Sequence, residues 1–95
     1  MKIKEILAKP NVQIVDVRES LEFFFGHVKG SVNIPLSKLD RKVNDFKAMN
    51  GPIVLVCASG NRSGQAMSFL KSKGIKDVYN GGGWHDVKQL LKATV

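Results

Sequence analysis

The sequence predicts an α/β domain built on a mostly parallel sheet of four or five strands flanked by α-helices. Residues 12–17 and 53–57 are short, apolar and rich in β-branched side chains, which is typical of strands buried on both faces. Helical patterns alternate with these segments, and such alternation favours parallel strands joined by right-handed crossovers. A chain of 95 residues has material for one modest core, so we expect residues 1–95 to form a single domain.

The first half of the chain adds three weaker elements. Residues 3–9 fit one short helix, and residues 32–35 fit a short strand that ends at a proline. Ser37 can cap a helix that runs to about Met49, where the sequence Asn-Gly-Pro would stop it. The run of three phenylalanines at residues 23–25 is interpreted as core packing with one exposed ring.

The second half is predicted with clearer signals. Residues 62–73 show apolar side chains at helical spacing, and Gly74 can take the left-handed conformation that ends a helix. Residues 76–79 fit a short strand. Residues 81–84, Gly-Gly-Gly-Trp, are predicted to form a turn that leads into a last helix over residues 85–93.

The charge and the hydropathy of the chain indicate which kinds of partner to expect. Fifteen Lys and Arg against eight Asp and Glu give a net charge of +7, which favours anions. The basic residues are scattered and not interleaved with aromatic ones, so we expect no nucleic-acid partner. No apolar run approaches ~18 residues, and the first residues lack a signal-peptide pattern. We therefore expect a cytoplasmic protein that does not bind a membrane.

The loop at residues 57–63, Cys-Ala-Ser-Gly-Asn-Arg-Ser, carries the chemistry. It follows the strongest strand and leads into the strongest helix, and parallel sheets bind ligands at the carboxyl ends of their strands. A glycine-containing loop and a helix start can direct several N–H groups toward one anion. That anion could be the thiolate of Cys57, a persulfide or a bound oxyanion. We predict a reactive thiol at Cys57 instead of a small buried apolar side chain.

Four segments in order carry a family resemblance. The loop Cys57-x-x-Gly60-x-Arg62-Ser63 resembles the active-site loop of rhodanese-like sulfurtransferases. The segments at residues 14–19, Ile-Val-Asp-Val-Arg-Glu, and 22–35, with Glu-Phe, Gly-His, Gly-Ser and Asn-Ile-Pro, are similar to two further family segments. Residues 78–84 resemble the closing Gly-Gly-x-x-x-Trp element, with the tryptophan arriving early. The resemblance implies a single rhodanese-like domain.

By this resemblance, Cys57 is the nucleophile. It would take sulfur from a small anionic donor, thiosulfate or a persulfide, and pass it to cyanide or a thiol. The resemblance also implies that the backbone of the loop would hold the persulfide, with Arg62 orienting the loop by ion pairing in preference to binding the substrate. The loop residues are Ala58, Ser59, Gly60, Asn61, Arg62 and Ser63.

Four further residues are expected to support the site. Asp16 and Arg18 follow a buried strand and are predicted to hold the fold, with Asp16 pairing a loop or helix partner. The Gly-His-x-x-Gly pattern suggests that the imidazole of His27 bonds the backbone in a turn. Trp84 would either wall the site or pin the last helix, and the sequence leaves both possibilities open.

Two other functions stay open. The domain could be a relay module that receives persulfide from a protein partner. It could also be a phosphatase or arsenate reductase, whose loop is Cys-x5-Arg; here four residues separate Cys57 from Arg62, and the tighter loop favours sulfur over phosphate. The two histidines, His27 and His85, and the single cysteine lack a metal-site spacing, so we expect no metal and no other cofactor.

Overall fold

The computed structural model of the protein describes residues 2–93, in which helices and strands alternate along the chain. The strands are β1 (Gln13–Asp16), β2 (Val32–Asn33), β3 (Ile53–Cys57) and β4 (Val78–Gly83). The α-helices are α1 (Ile3–Leu7), α2 (Ser20–Phe25), α3 (Val43–Lys47), α4 (Asn61–Ser72) and α5 (Trp84–Ala93), and a 3₁₀ helix spans Leu36–Arg41. None of the helices within these residues has both the length and the apolar character needed to cross a membrane.

The four strands form one parallel sheet in the order β2-β1-β3-β4. The two strands with the most apolar sequences, β1 and β3, lie at its centre, where both faces of a strand are covered. The predicted α/β class with a mostly parallel sheet is therefore confirmed. Because all strands point the same way, their carboxyl ends meet at one edge of the sheet, and this edge presents the loop that follows β3.

Side chains of β3 alternate between two apolar layers, as the period of a strand requires. Every residue of β3 is buried, so helices cover both faces of the sheet. Ile53, Leu55 and Cys57 share a layer with residues of the 3₁₀ helix, α3 and α4. Val54 and Val56 share the opposite layer with residues of α1 and α5.

The single helix predicted from Ser37 to about Met49 is wrong, because the segment is split into a 3₁₀ helix and α3. Lys42, with φ of −115°, separates the two pieces. A 3₁₀ helix places side chains three residues apart on one line, and this lets Leu36 and Leu39 both pack against the core. Ser37 caps no helix; its hydroxyl donates a hydrogen bond to Glu19 Oε2 at 3.3 Å.

The turn predicted at residues 81–84 is also wrong. These glycines continue β4, where Gly82 pairs with Val56 and Gly83 with Cys57, and α5 begins directly at Trp84. Gly81 is the extra residue of a β-bulge. A Cβ atom on Gly81 would lie only 2.6 Å from a methyl carbon of Val54, so the close approach of the two strands requires glycine there.

The interpretation of the three phenylalanines is wrong as well. They form the end of α2, a helix that the sequence analysis did not predict. α2 begins with a capping box between Glu19 and Glu22. Phe24 and Phe25 are 75% and 79% exposed, so two rings face outward instead of one. Successive residues of a helix point about 100° apart, so three in a row cannot share a buried face.

The other elements agree closely with expectation. α4 and α5 each start one residue before the predicted position, and Gly74 takes the left-handed conformation just after α4, with φ of +92°. α1 is two residues shorter than predicted, and β1 and β2 are each shortened by two residues. β4 starts two residues later than predicted, and it extends four residues further because its glycines pair with β3.

Candidate active site

Cys57 is the last residue of β3 and is buried, with 1% of its surface exposed. Its Sγ accepts a hydrogen bond from the backbone N–H of Gly60 at 3.0 Å and a longer one from the N–H of Ser63 at 3.4 Å. Gly60 has φ of +101°, a conformation that side-chain-bearing residues rarely adopt, and it turns the chain back over the sulfur. The predicted convergence of N–H groups on one point is thus present, and the point is Sγ itself.

The sulfur of Cys57 also lies at the N-terminal end of α4. Gly60 lies at the cap position without a capping side chain, so the N–H of Ser63 in the first turn would lack an intrahelical partner. Sγ takes that hydrogen bond. The positive end of the helix dipole therefore faces an atom that carries negative charge when the thiol loses its proton.

Two opposing effects act on the thiol. Burial raises the pKa of Cys57, whereas the hydroxyl of Ser63, when it donates to the thiolate, and the backbone N–H groups of Ser63, Ser59 and Gly60 lower it. The hydrogen bonds prevail, and the pKa of Cys57 lies below its ordinary value. Such an environment is typical of a nucleophilic cysteine and not of an inert one.

Arg62 pairs with Glu22 of α2. Its two terminal nitrogens donate to the two carboxylate oxygens of Glu22, at 2.7 and 3.0 Å. The hydrogen bonds from Arg62, opposed in part by burial, lower the pKa of Glu22 to about 2, and the same pairing raises the pKa of Arg62. The bidentate pair uses two N–H donors that lie in the plane of the guanidinium, and it joins the start of α4 to α2.

Asp16 and Arg18 form a buried ion pair at the end of β1, with side chains 0% and 5% exposed. The guanidinium donates to both carboxylate oxygens of Asp16, at 2.8 to 3.0 Å, and to the carbonyl of Gly26 at 2.6 Å. It also lies under the ring of Trp84, 4.7 Å from the ring centre. The pair therefore links the end of β1, the end of α2 and the start of α5.

His27 and Trp84 both contact residues at the end of α2. The Nδ1 atom of His27 hydrogen-bonds the carbonyl of Phe23 at 2.7 Å, and its ring stacks on the Phe23 ring. Trp84 packs so closely on Gly26 that a Cβ there would lie 3.0 Å from the indole. Trp84 therefore packs the start of α5 against the end of α2. In the loop after Cys57, the exposed residues are Ala58, Ser59 and Asn61.

The sequence matches the family model for the rhodanese-like domain over residues 2–90. The chain belongs to the rhodanese-like family. This settles the family resemblance, and it agrees with the parallel four-stranded sheet described above.

Relatives within the family are similar over most of this chain. It is 37% identical over 70 residues to YrkF of Bacillus subtilis, a candidate sulfur carrier protein by its name, covering 74% of this chain and 37% of the relative. It is 35% identical over 77 residues to the thiosulfate sulfurtransferase GlpE of Pseudomonas aeruginosa, covering 78% and 66%. The chain thus spans about a third to two thirds of the length of these curated relatives.

A solved structure described as a rhodanese with anions from E. coli has the same fold. It superposes with a TM-score of 0.68 at 32% identity, and the match covers 79% of this chain and 89% of that one.

Two residues that hydrogen-bond the loop after Cys57 were missed by sequence reasoning. Asn80 accepts a hydrogen bond from the Ser63 hydroxyl at 2.6 Å, and Glu22 holds Arg62. For Asn80 a signal existed, since it is a polar residue next to the glycine run at the carboxyl end of a predicted strand. For Glu22 no local pattern shows which of the scattered basic residues it would meet.

Within residues 2–93, the His, Cys, Asp and Glu side chains form no group of three that could hold a metal ion. The expectation that the protein uses no metal and no other cofactor stays a prediction.

Proposed function

We propose that the protein is a sulfurtransferase that carries sulfane sulfur as a persulfide on Cys57. The observation that carries this proposal is the set of N–H groups from Gly60 and Ser63 that converge on Sγ. These donors stabilise negative charge at the sulfur without supplying a proton acceptor, and sulfur transfer needs a stabilised thiolate more than it needs a base. The remaining loop residues, Ala58, Ser59, Asn61 and Arg62, would shape the space around the outer sulfur.

The reaction has two steps. In the first, the Cys57 thiolate attacks the outer sulfur of thiosulfate, a new S–S bond forms, and sulfite leaves with the electron pair of the broken bond. In the second, cyanide or a thiolate attacks the outer sulfur of the persulfide and regenerates the Cys57 thiolate. No oxidant or reductant is consumed, because the transferred sulfur moves without its bonding electrons in both steps.

Two observations support the choice of sulfur over an oxyanion. Only four residues separate Cys57 from Arg62, and Arg62 already gives two hydrogen bonds to Glu22. In a phosphatase of the Cys-x5-Arg type, the arginine would have to face the phosphate. Here Arg62 is proposed to position the loop, with Asp16, Arg18, His27 and Trp84 as structural supports around it.

The test is the intact mass of the protein after incubation with thiosulfate, with and without later cyanide. We expect the wild type to gain one sulfur, about 32 Da, and to lose it to cyanide as thiocyanate. Cys57→Ser is the matched control and should gain nothing. A wild type that forms no adduct with any sulfur donor, or that cleaves an aryl phosphate instead, would contradict the proposal.

A second candidate is a relay module that takes persulfide from a protein donor. It is favoured by α2, where Leu21, Phe24 and Phe25 are 69%, 75% and 79% exposed on the helix that holds Arg62 through Glu22. An exposed apolar surface beside the site suits a protein partner. The similarity to a candidate sulfur carrier protein supports it as well. An adduct that forms with a protein persulfide donor but not with thiosulfate would select this function.

We also propose that residues 1–95 act as one domain in the cytoplasm, where a lone cysteine stays a free thiol. Sulfur donors and acceptors are the expected partners, without nucleic acid or membrane.

A further inference from the structure

The side chain of Asn80 contacts the groups that surround the sulfur of Cys57. It is half-buried in β4, one residue before the bulge. Its Oδ1 accepts hydrogen bonds from the hydroxyl of Ser63 at 2.6 Å and from the N–H of Gly82 at 2.9 Å, and its Nδ2 donates to the carbonyl of Gly60 at 3.1 Å. Both Gly60 and Ser63 hydrogen-bond Sγ, so Asn80 acts one bond away from the reacting atom.

The backbone determines which way round this carboxamide lies. The N–H of Gly82 can only donate, and the carbonyl of Gly60 can only accept. Turning the carboxamide over would bring two donors together at Gly82 and two acceptors together at Gly60. The oxygen of Asn80 is therefore the atom that faces Ser63.

This orientation fixes the proton of the Ser63 hydroxyl. A hydroxyl has one hydrogen to donate, and the amide oxygen of Asn80 has none, so Ser63 is the donor in their 2.6 Å contact. The same Ser63 oxygen lies 3.4 Å from Sγ of Cys57. With its hydrogen directed to Asn80, Ser63 can only accept from the sulfur, and a protonated thiol has a hydrogen to give.

The donor and acceptor roles of Cys57 and Ser63 change when the sulfur is a thiolate or a persulfide anion. The charged sulfur has no hydrogen, so the lone pairs of Ser63 and the negative sulfur would face each other. Rotation of the hydroxyl turns its hydrogen toward the sulfur and removes the repulsion. The oxygen of Asn80 then still accepts a hydrogen bond from the N–H of Gly82, so it is not left without a donor when Ser63 turns away.

We propose that Asn80 is a positioning residue that holds the hydroxyl hydrogen of Ser63 away from Cys57 in the thiol form and releases it when the sulfur becomes negative. The proposal rests on the sulfur-carrying function proposed above and adds a residue that regulates the charge of the carrier. It gives the two polar neighbours opposite effects: the hydroxyl of Ser63 stabilises the anion, and the oxygen of Asn80 competes for that hydroxyl and stabilises the thiol.

Other charges around the sulfur stay constant in this comparison. The positive charge of Arg62 on α4 interacts with Cys57, and Arg62 is paired with Glu22 of α2. The Asp16–Arg18 pair ends β1, and the carboxylate of Asp86 at the start of α5 lies beside Gly83. Exchanging neutral Asn80 or Ser63 for alanine alters none of them.

The experiment is a double-mutant cycle read out by the pKa of Cys57. The ultraviolet absorbance of the thiolate is titrated in the wild type, Asn80→Ala, Ser63→Ala and the double variant, with Cys57→Ser subtracted as the blank. Since Cys57 is the only cysteine of the chain, the difference reports on that thiol alone. Thermal unfolding of each variant checks that it is folded.

We expect Ser63→Ala to raise the pKa of Cys57 and Asn80→Ala to lower it, each by about half to one pKa unit, the size of one net hydrogen bond. In the Ser63→Ala background, Asn80→Ala should no longer lower the pKa, because no hydroxyl remains to be released. If Asn80→Ala does not fold, Asn80→Ser serves instead, since its side chain is too short to reach Ser63 and should have the same effect.

The proposal is overturned if removal of Asn80 raises the pKa as removal of Ser63 does, or if its effect is the same with and without Ser63. Either result would mean that the carboxamide of Asn80 only stabilises the conformation of the loop. The titration uses no sulfur donor, so it stays interpretable even if Cys57 forms no persulfide. The mass experiment above tests the function separately.

Discussion

Replacing Asp16 by asparagine removes one charge of the buried pair at the end of β1 and leaves the other. The guanidinium of Arg18 is 5% exposed and makes three of its side-chain hydrogen bonds to the carboxylate of Asp16. In the variant, the positive charge would keep the carbonyl of Gly26 and the ring of Trp84, which are neutral partners. The fold would then contain a buried charge without a counter-charge.

Breaking a buried ion pair from one side costs about 3–5 kcal/mol. Asparagine keeps an oxygen for the backbone N–H of Arg18, which bonds Asp16 Oδ1 at 3.0 Å, so we expect the lower end, about 3 kcal/mol. For a chain of 95 residues, an unfolding entropy of about 2.1 cal/mol/K per residue converts this to a fall in Tm of about 15 °C.

The assay is thermal and urea unfolding of Asp16→Asn beside Asp45→Asn as a matched control. Asp45 pairs with Lys42 at 3.7 Å on the surface, with side chains 60% and 48% exposed, so its loss should cost less than about 1 kcal/mol. Adding Arg18→Met to Asp16→Asn should recover part of the lost stability, because it removes the unpaired charge. If Asp16→Asn costs no more than the control, or if the double variant is less stable than the single one, the reasoning is refuted.

Two further predictions concern β4 and the tie between α2 and α4. Gly81→Ala should lower the free energy of unfolding in urea by about 1–3 kcal/mol, because the new Cβ would lie 2.6 Å from Val54 and 3.1 Å from the carbonyl of Leu55; a neutral effect would mean that the bulge relaxes freely. Glu22→Gln should cost about 0.2–1 kcal/mol at neutral pH, since the pair with Arg62 is partly exposed and screened by solvent. The hydrogen bonds from Arg62 hold the pKa of Glu22 at about 2 instead of 4.5, so this contribution is present above pH 4.5 and is lost as the pH falls toward 2. The unfolding free energies of wild type and Glu22→Gln should therefore converge in that range, and a constant difference between them would contradict this.

The strongest local patterns predicted the parts of the fold that matter most for the site. β3 was predicted with its observed bounds because five apolar residues in a row fit a strand covered on both faces. α4 was predicted within one residue at each end because its apolar spacing and Gly74 agree. These two elements alone determine that the loop of Cys57 opens at the carboxyl edge of the sheet.

Local patterns failed where long-range pairing decided the structure. The glycines after Asn80 have no side chains from which a strand could be predicted, yet β3 offers them a backbone ladder. The segment after Pro35 has apolar residues at helical spacing, but core packing of Leu36 and Leu39 favours a 3₁₀ helix there. In both cases, contacts with residues distant in the chain favoured the observed structure over the one that the local pattern predicted.

The sequence by itself determined the family, the parallel α/β sheet and the position of Cys57 in a glycine-containing loop, because each is written in a short run of neighbouring residues. Only the tertiary structure decided the partners of that loop. Glu22 meets Arg62 across 40 residues of chain, and Asn80 meets Ser63 across 17. Such hydrogen bonds depend on which strands and helices lie side by side, and no local pattern encodes that arrangement.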